Sequence, residues 1–263
     1  MSVKAAFIGA GGATLRHVLA WTLLAGHNAA ALVRDPVKLE NLLLDLGVSK
    51  KIQQSQLVIV QGSSRDVATV RALLLNDPEV IFSGITSTWR LHYNLFRPIA
   101  MNDTSITGDS ASAVVQALRD LKSTNSISNS PIYAPISSTG HSPQRDQPVP
   151  LIPLYWWLLR VPQADTAVLE KVVREAASEN NPSLGGYVML RPPLLTDGDL
   201  KGTNSLRVGW IWEDDVYKKS GERESGIEVG YTISRLDLAR WMFEELVDGD
   251  AQRWKGKCVN LTY

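Results

Sequence analysis

The sequence lacks several features, and each absence excludes a class of protein. Its single cysteine, Cys258, cannot form a disulfide within the chain, so a small secreted domain held by disulfides is excluded. The four histidines show no metal-ligand spacing, and we therefore predict no metal site. Basic and acidic residues balance at 27 each, so no net positive charge attracts nucleic acid or an anionic membrane. No window approaches the roughly 18 consecutive apolar residues of a membrane-spanning helix.

What the sequence contains is typical of one globular domain. The chain has 263 residues, of which 44% are hydrophobic, and a chain of this length buries roughly three quarters of its unfolded surface. We therefore expect a single domain over residues 1–263. An apolar segment begins at Val3 and leaves no room for a signal peptide, which favours a cytoplasmic location.

Short apolar runs alternate with helical patterns along the chain. The runs predict strands at residues 3–8, 29–33, 57–60, 80–82, 132–136 and 187–190. Between and after them, apolar residues recur three and four positions apart, which predicts helices around residues 15–23, 39–46, 67–74, 111–118, 168–176 and 239–246. This alternation predicts an α/β fold, a Rossmann-type doubly wound parallel sheet with helices on both faces.

Two segments interrupt the alternation. Residues 140–162 are rich in proline and tryptophan, and residues 192–231 are rich in glycine and charge. Both follow strands at the sheet edge where such folds bind ligands, so we predict that they form the walls of a substrate pocket. The second forms a small C-terminal substrate-binding lobe, in which the mixed-sign run 213–228 predicts a solvated flap.

A glycine-rich loop follows the first predicted strand. It contains Gly9, Gly11 and Gly12, and continues through Ala13 and Thr14 into the first helix. Glycine permits a tight turn here and lets a pyrophosphate approach the backbone amides at the positive end of a helix. The third glycine of the usual motif is absent, since Thr14 or Leu15 stands in its place, so we expect the helix to shift outward or the pyrophosphate site to narrow. The alternative is a glycine turn that binds nothing.

The end of the second strand indicates which nucleotide the loop would bind. A carboxylate there pairs with the ribose hydroxyl of NAD, whereas Arg34 stands at the tip, with Lys38 one turn further on. A guanidinium suits the additional phosphate of NADP(H), which we therefore favour as the cofactor. Asp35 lies one residue after the position from which a carboxylate would pair with the ribose hydroxyl. It is also suited to capping the next helix. The alternative is that Arg34 is an ordinary solvated charge.

These segments carry a resemblance to a known family. The chain resembles the NmrA-like, atypical branch of the short-chain dehydrogenase/reductases, and within it the fungal averufin-oxidase-like oxidoreductases of aromatic polyketide pathways. The similar segments are residues 9–14, 31–39, 154–159, 162–170, 191–198 and 230–235. The resemblance implies a Rossmann fold, an NADP-type cofactor and a small aromatic, phenolic substrate. We expect no nucleic-acid or membrane partner, and leave a homodimer open.

The usual proton-relay residues of this superfamily are missing. They are a tyrosine and a lysine four residues apart with a serine nearby, and the lysine lowers the pKa of the tyrosine. By the spacing to Glu170, Pro162 falls at the tyrosine position and Thr166 at the lysine position that the resemblance implies. Similar sequences carry a His-x-Asp-Lys pattern here, of which only Asp165 remains. The resemblance therefore implies an oxidoreductase without supplying its proton donor.

Four other residues are candidates for acid–base chemistry. They are Ser138, His141, Tyr155 and Asp165, and His141 is the best titratable group of the four. The tyrosine is also suited to a pocket wall or to core packing.

Further cofactor contacts are predicted at the ends of later strands. They are Ser83, Gly84, Ile85, Ser137 and Pro192. Two alternatives to redox chemistry stay open: an isomerase, dehydratase or cyclase on the same fold, and an NmrA-like regulator that senses nucleotide without turnover.

Overall fold

The computed structural model describes residues 4–87, 89–91, 99–180, 182–218 and 221–263, with side chains omitted at 89–91, 99–100 and 154–156. Its strands are β1 (Ala5–Ile8), β2 (Ala29–Val33), β3 (Leu57–Gln61), β4 (Val80–Ser83), β5 (Trp89–Leu91), β6 (Ile99–Met101), β7 (Ile132–Pro135), β8 (Gly186–Leu190), β9 (Leu194–Thr196), β10 (Arg207–Trp212), β11 (Thr232–Ser234) and β12 (Lys257–Thr262). Its helices are α1 (Leu15–Leu24), α2 (Pro36–Asp45), α3 (Lys50–Gln56), α4 (Val67–Leu74), α5 (Ile106–Ser123), α6 (Ile152–Leu158), α7 (Arg160–Ala177) and α8 (Arg235–Phe243).

The main sheet has eight strands in the order β10-β12-β8-β7-β4-β1-β2-β3. All neighbouring strands run parallel except β10, which is antiparallel to β12. The chain first builds outward from β1 through β2 to β3, and then returns to place β4 on the other side of β1. The carboxyl ends of β1 and β4 therefore form the topological switch point at which doubly wound sheets bind ligands.

Helices cover both faces of this sheet, which confirms the predicted α/β class. On one face, α1, α2 and α8 contribute buried residues such as Leu19, Leu43 and Trp241 to an apolar cluster. On the other, α4, α5 and α7 contribute residues such as Leu73 and Val114. Strands that are buried on both faces read as continuous apolar runs, which is why the sequence located them.

The helix caps follow local rules. The Asp66 carboxylate accepts hydrogen bonds from two amides at the start of α4, and Ser234 accepts one from the Asp237 amide at the start of α8. Sequence reasoning did not find β12, α3 or the short pairs β5–β6 and β9–β11. It also placed Val168 in a buried helical stripe, whereas this side chain is 49% exposed because the buried stripe of α7 runs through Leu169 and Val173.

The prediction of a solvated flap at residues 213–228 is wrong for its first two residues. Glu213 has only 3% of its side chain exposed, and the Asp214 carboxylate accepts a hydrogen bond from the Tyr187 hydroxyl. Further along, Gly226 bridges to Trp210 on β10. Its first residues and Gly226 are therefore held against the sheet, whereas Asp215 and Val216 between them are exposed, as the prediction has it.

Candidate functional site

The glycine loop forms the tight turn that the sequence predicts. Gly9 has φ of +86°, a left-handed conformation that favours glycine, and its carbonyl accepts a hydrogen bond of 2.9 Å from the Gly12 amide. A Cβ at Gly11 would have no heavy atom within 4 Å. Thr14 makes no side-chain cap at the start of α1. The amides of Arg16 and His17 donate to the carbonyls of Gly12 and Thr14, whereas those of Gly11, Ala13 and Thr14 have no backbone partner among the described residues and are open to an anionic ligand.

The missing third glycine is replaced from another strand. Leu15 is 1% exposed and packs against Gly84, just beyond β4, where an added Cβ would lie 2.9 Å from the Leu15 Cδ1 atom. The close approach of helix and sheet is thus provided by a glycine on the sheet side. The expected reason for the helix to shift outward is therefore removed.

The segment after β4 connects this loop to the neighbouring strand. Ile85 Cδ1 lies 2.9 Å from the position that a Cβ on Gly9 would take, and the Gly84 amide donates to the Ile8 carbonyl at 3.1 Å. The Ser83 carbonyl accepts from the Ile136 amide at 2.8 Å, and its side chain is buried. These contacts place the three residues at the switch point. Their role in binding a cofactor stays a prediction.

The end of β2 carries two exposed cations and one capping carboxylate. The Asp35 side chain accepts a hydrogen bond of 3.0 Å from the Lys38 amide, so it is the cap of α2. Neither Arg34 nor the Lys38 ammonium makes an ion pair within the described part of the chain. An open helix end with two free cations nearby fits a dinucleotide that carries an extra phosphate.

Asp165 has a clear structural role. It is 4% exposed, and its two carboxylate oxygens accept hydrogen bonds of 2.9 Å from the amides of Thr107 and Gly108 at the start of α5. The carboxylate therefore caps α5 from the neighbouring helix α7. The acid–base role that the sequence suggested for it stays a prediction.

A buried charge network that the sequence analysis missed lies at the carboxyl ends of β7 and β8. Arg191, which is fully buried, donates from Nε to Glu170 Oε1 at 2.8 Å and from Nη2 to Oε2 at 2.5 Å. The Ser137 hydroxyl donates to the same carboxylate at 2.6 Å. The predicted cofactor contact Ser137 therefore directs its hydroxyl toward this network.

The second half of the network comes from the segment after β10. Glu213 accepts 2.5 Å and 2.9 Å hydrogen bonds from Arg191 and one of 2.6 Å from Arg174. Burial alone would raise the pKa of Glu170, but the hydrogen bonds and charge of Arg191 outweigh it and hold that pKa below its usual range. Both carboxylates thus have a guanidinium partner, as buried charges require.

His141 lies beside this network and contacts two hydroxyl groups. Its Nε2 is 2.7 Å from Thr166 Oγ1 and 3.3 Å from Ser138 Oγ. Burial lowers the pKa of His141, and the nearby Glu170 opposes that effect. The structure therefore brings together the predicted residues Ser138 and His141, and adds Thr166, which the sequence analysis placed at the expected lysine position.

The remaining predicted residues are placed as follows. Pro192 is buried, and its carbonyl accepts from the Thr139 amide at 3.2 Å. Tyr155 belongs to α6, but its side chain lies outside the described residues. The Gly140 amide donates to the buried Asp146 carboxylate at 2.8 Å, which holds the loop that carries the histidine.

Other candidate sites are weaker. A groove of about 480 Å³ lies between α4, α5 and α7, and none of the predicted site residues lines it. In the part of the chain that the structure describes, no three His, Cys, Asp or Glu side chains form a group that could hold a metal ion. No described helix has the length and apolar character that crossing a membrane requires.

Two curated fungal proteins are similar to this chain over nearly its whole length. The reductase pytE of Aspergillus terreus is 38% identical over 272 residues, which cover 98% of this chain and 97% of pytE. The oxidase pynE of Aspergillus niger is 31% identical over 285 residues, again covering 98% of this chain and 97% of the relative. No family model matches the sequence.

Solved structures share the fold at low sequence identity. ChuY, an anaerobillin reductase from Escherichia coli, matches with a TM-score of 0.60 at 16% identity, covering 98% of this chain and 96% of that one. A short chain dehydrogenase from Bacillus anthracis matches with a TM-score of 0.60 at 12% identity, covering 98% and 94%. The protein thus has the Rossmann-like fold of these structures, and its full-length similarity to the two fungal relatives shows that it belongs to the same oxidoreductase family as the reductase pytE and the oxidase pynE.

Proposed function

We propose that the protein is an NADP(H)-dependent oxidoreductase that acts on an aromatic polyketide or a similar secondary metabolite. The observation that carries the cofactor assignment is the open start of α1 beside the unpaired cations Arg34 and Lys38. The names of the two fungal relatives support redox chemistry in both directions, since one is a reductase and the other an oxidase.

Different groups would bind the two phosphate-containing parts of the cofactor. The backbone amides of Gly11, Ala13 and Thr14 would hold the pyrophosphate, and the two cations after β2 would hold the additional phosphate. The cofactor, when bound, supplies or accepts a hydride. The chain itself must then orient the substrate and move a proton at the substrate oxygen.

Exposed apolar side chains on the two inserted segments support an aromatic substrate. Val149 and Trp157 are 60% and 43% exposed in the first segment, and Leu194 and Tyr231 are 59% and 55% exposed in the second. Exposed apolar side chains that lie together commonly mark a surface that a ligand or partner covers. We therefore assign these two segments to substrate binding.

The positions of Pro162 and Thr166 favour a second function on the same fold. Both belong to α7, and neither can replace the phenol or the amine of the superfamily relay. An isomerase, dehydratase or cyclase would need only an acid and a base, which His141 can supply in turn. Product formation without added nucleotide would establish this function, and nucleotide binding without product would favour the regulator.

The test is calorimetric titration of the purified protein with NADPH and with NADH. We expect the parent to bind NADPH more tightly, and Arg34→Ala to lose about tenfold in NADPH affinity while its NADH affinity is unchanged, because only NADPH carries the phosphate. Arg71→Ala is the matched control, since Arg71 is an exposed arginine on α4. No heat with either nucleotide at millimolar concentration would overturn the proposal.

A further inference from the structure

The Thr166 hydroxyl faces two kinds of acceptor. Its oxygen lies 3.2 Å from the carbonyl oxygens of both Pro162 and Gln163, one turn back in α7, and 2.7 Å from His141 Nε2. A threonine within a helix donates its single proton to such a carbonyl. If that proton goes to a helix carbonyl, the oxygen can only accept, and the hydrogen between the two side chains then belongs to Nε2 of His141.

The other ring nitrogen of His141 is left free. Nδ1 has no hydrogen-bond partner among the described residues, and it is not one of their buried unpartnered polar atoms, so it is open to a ligand. In a neutral imidazole with hydrogen on Nε2, Nδ1 bears the lone pair. We propose that Thr166 is a positioning residue that fixes this tautomer, and that His141 Nδ1 is the proton acceptor for a hydroxyl group of the substrate.

This inference rests on the proposed function and names the substrate class more closely. The step is a proton transfer: the substrate O–H bond breaks, its electron pair stays on oxygen, and a new N–H bond forms at Nδ1. The resulting imidazolium keeps its other hydrogen on Nε2, where it is hydrogen-bonded to the Thr166 oxygen. The substrate must therefore present a phenol or an alcohol to this nitrogen, and the reverse transfer returns the proton to the same oxygen.

The position of His141 relative to the glycine loop supports its role as proton acceptor. His141 lies in the loop after β7, and the start of that loop is tied to β4 by the bond between the Ile136 amide and the Ser83 carbonyl. A Cβ on Gly84 would lie 3.5 Å from Ile136 Cδ1 and 2.9 Å from Leu15 of α1. A continuous set of contacts thus joins the glycine loop to the segment that carries the histidine.

The charged groups around His141 compensate one another. The four that act on its titration are Glu170 and Arg174 of α7, Arg191 after β8 and Glu213 after β10. The two carboxylates and two guanidiniums form the buried network described above, so they add no net charge. Because burial then favours the uncharged ring, His141 rests in the neutral form that accepts a proton.

The tautomer can be measured directly by nuclear magnetic resonance on protein whose histidines carry the heavy nitrogen isotope. His141→Gln identifies the signals of this ring among the four histidines. We expect hydrogen on Nε2 alone in the parent and in Thr166→Ser, which keeps the hydroxyl. In Thr166→Val, which has nearly the same shape but no hydroxyl, loss of the hydrogen bond should change the tautomer ratio by about fivefold.

Naphthol and its methyl ether test the acceptor itself, because only naphthol has a proton to donate. We expect naphthol to shift the Nδ1 signal of the parent and the ether to leave it unchanged. Hydrogen on Nδ1 in the unliganded parent, an unchanged tautomer ratio in Thr166→Val, or equal responses to both probes would each overturn the inference.

Titration of the same samples with NADPH separates the two proposals. A parent that binds NADPH but carries hydrogen on Nδ1 contradicts only the role of Thr166 and His141. A parent that shows the expected tautomer but binds no nucleotide contradicts the proposed function instead. The tautomer of the parent is measured without either Thr166 variant, so the inference is tested even where a substitution at Thr166 disturbs folding.

Discussion

Arg191 is a fully buried guanidinium, and its surroundings explain how the fold tolerates it. Glu170 and Glu213 neutralise it from opposite elements, and Arg174 balances the second carboxylate. A buried charge without its partner is far more costly than a surface ion pair, because water no longer solvates it. The network therefore holds α7, the end of β8 and the segment after β10 in one arrangement.

Removing one carboxylate from this network should be strongly destabilising. Glu213→Gln is expected to lower the free energy of unfolding by about 3 kcal/mol, because the buried Arg191 then keeps only Glu170 as a charged partner and Arg174 loses its carboxylate. Glu175→Gln is the control, since its side chain is 66% exposed in a surface pair with Lys171, and should cost at most about 0.5 kcal/mol. Urea unfolding at neutral pH measures both, and equal losses would contradict the prediction.

Sequence reasoning identified some of these residues and missed others for a physical reason. Ser138 and His141 follow a predicted strand directly, so their place at the sheet edge could be inferred. Glu170 and Glu213 are distant in sequence, and only the packing of α7 against β8 together with the pairing of β10 with β12 brings them to Arg191. One local signal was present, since Arg191 directly follows an apolar strand and Glu170 sits next to Leu169 in a buried helical stripe.

At the scale of elements, the contact of α1 with β4 decides how the glycine loop is built. The usual motif places a glycine on the helix, whereas this chain places Leu15 there and a glycine at position 84 opposite it. The small residue lies on the sheet instead of on the helix, and the helix can therefore approach the sheet as closely as in the usual motif. Sequence analysis predicted the loop but not this compensation, because Gly84 acquires its role only once β4 lies beside β1.

A double-mutant cycle tests this compensation. Gly84→Ala should lower the free energy of unfolding by about 1–3 kcal/mol, because its methyl group enters the space of Leu15. Leu15→Ala alone should cost about 2–5 kcal/mol. In that background the added methyl group has room, so Gly84→Ala should cost less than about 1 kcal/mol.

The control for this cycle is a methyl group added at a glycine that faces open space. Gly11→Ala adds the same methyl group where no atom lies within 4 Å, and should change stability by less than about 0.5 kcal/mol. Thermal or urea unfolding gives the four corners of the cycle. Strictly additive losses would show that the two side chains do not share the space.

At the scale of the whole molecule, the order of strands differs from their order in sequence. The chain's last strand, β12, lies inside the sheet between β8 and β10, and all of its residues are buried. Strand β3, which comes early in the chain, forms the edge of the sheet beyond β2. The fold is therefore completed only when residues 257–262 insert next to β8.

The same substitution should consequently cost far more stability in β12 than in β3. Val259→Asp places an unpaired carboxylate at a position that is 0% exposed, and should remove at least about 4 kcal/mol of stability and yield insoluble protein. Val58→Asp falls on the edge strand at 43% exposure and should cost about 1 kcal/mol. Soluble expression and circular dichroism distinguish them, and a well-folded Val259→Asp protein would contradict the strand order.

The sequence by itself determined the α/β class, the inner strands, the glycine turn at Gly9 and the caps at Asp35 and Asp66, because each depends on neighbouring residues and a local conformational preference. Tertiary structure alone decided the partners of Arg191, the capping of α5 by Asp165 and the place of β12. Those features join residues that are far apart in the chain, and the energy of a buried charge or an interior strand depends on what the completed fold packs around it.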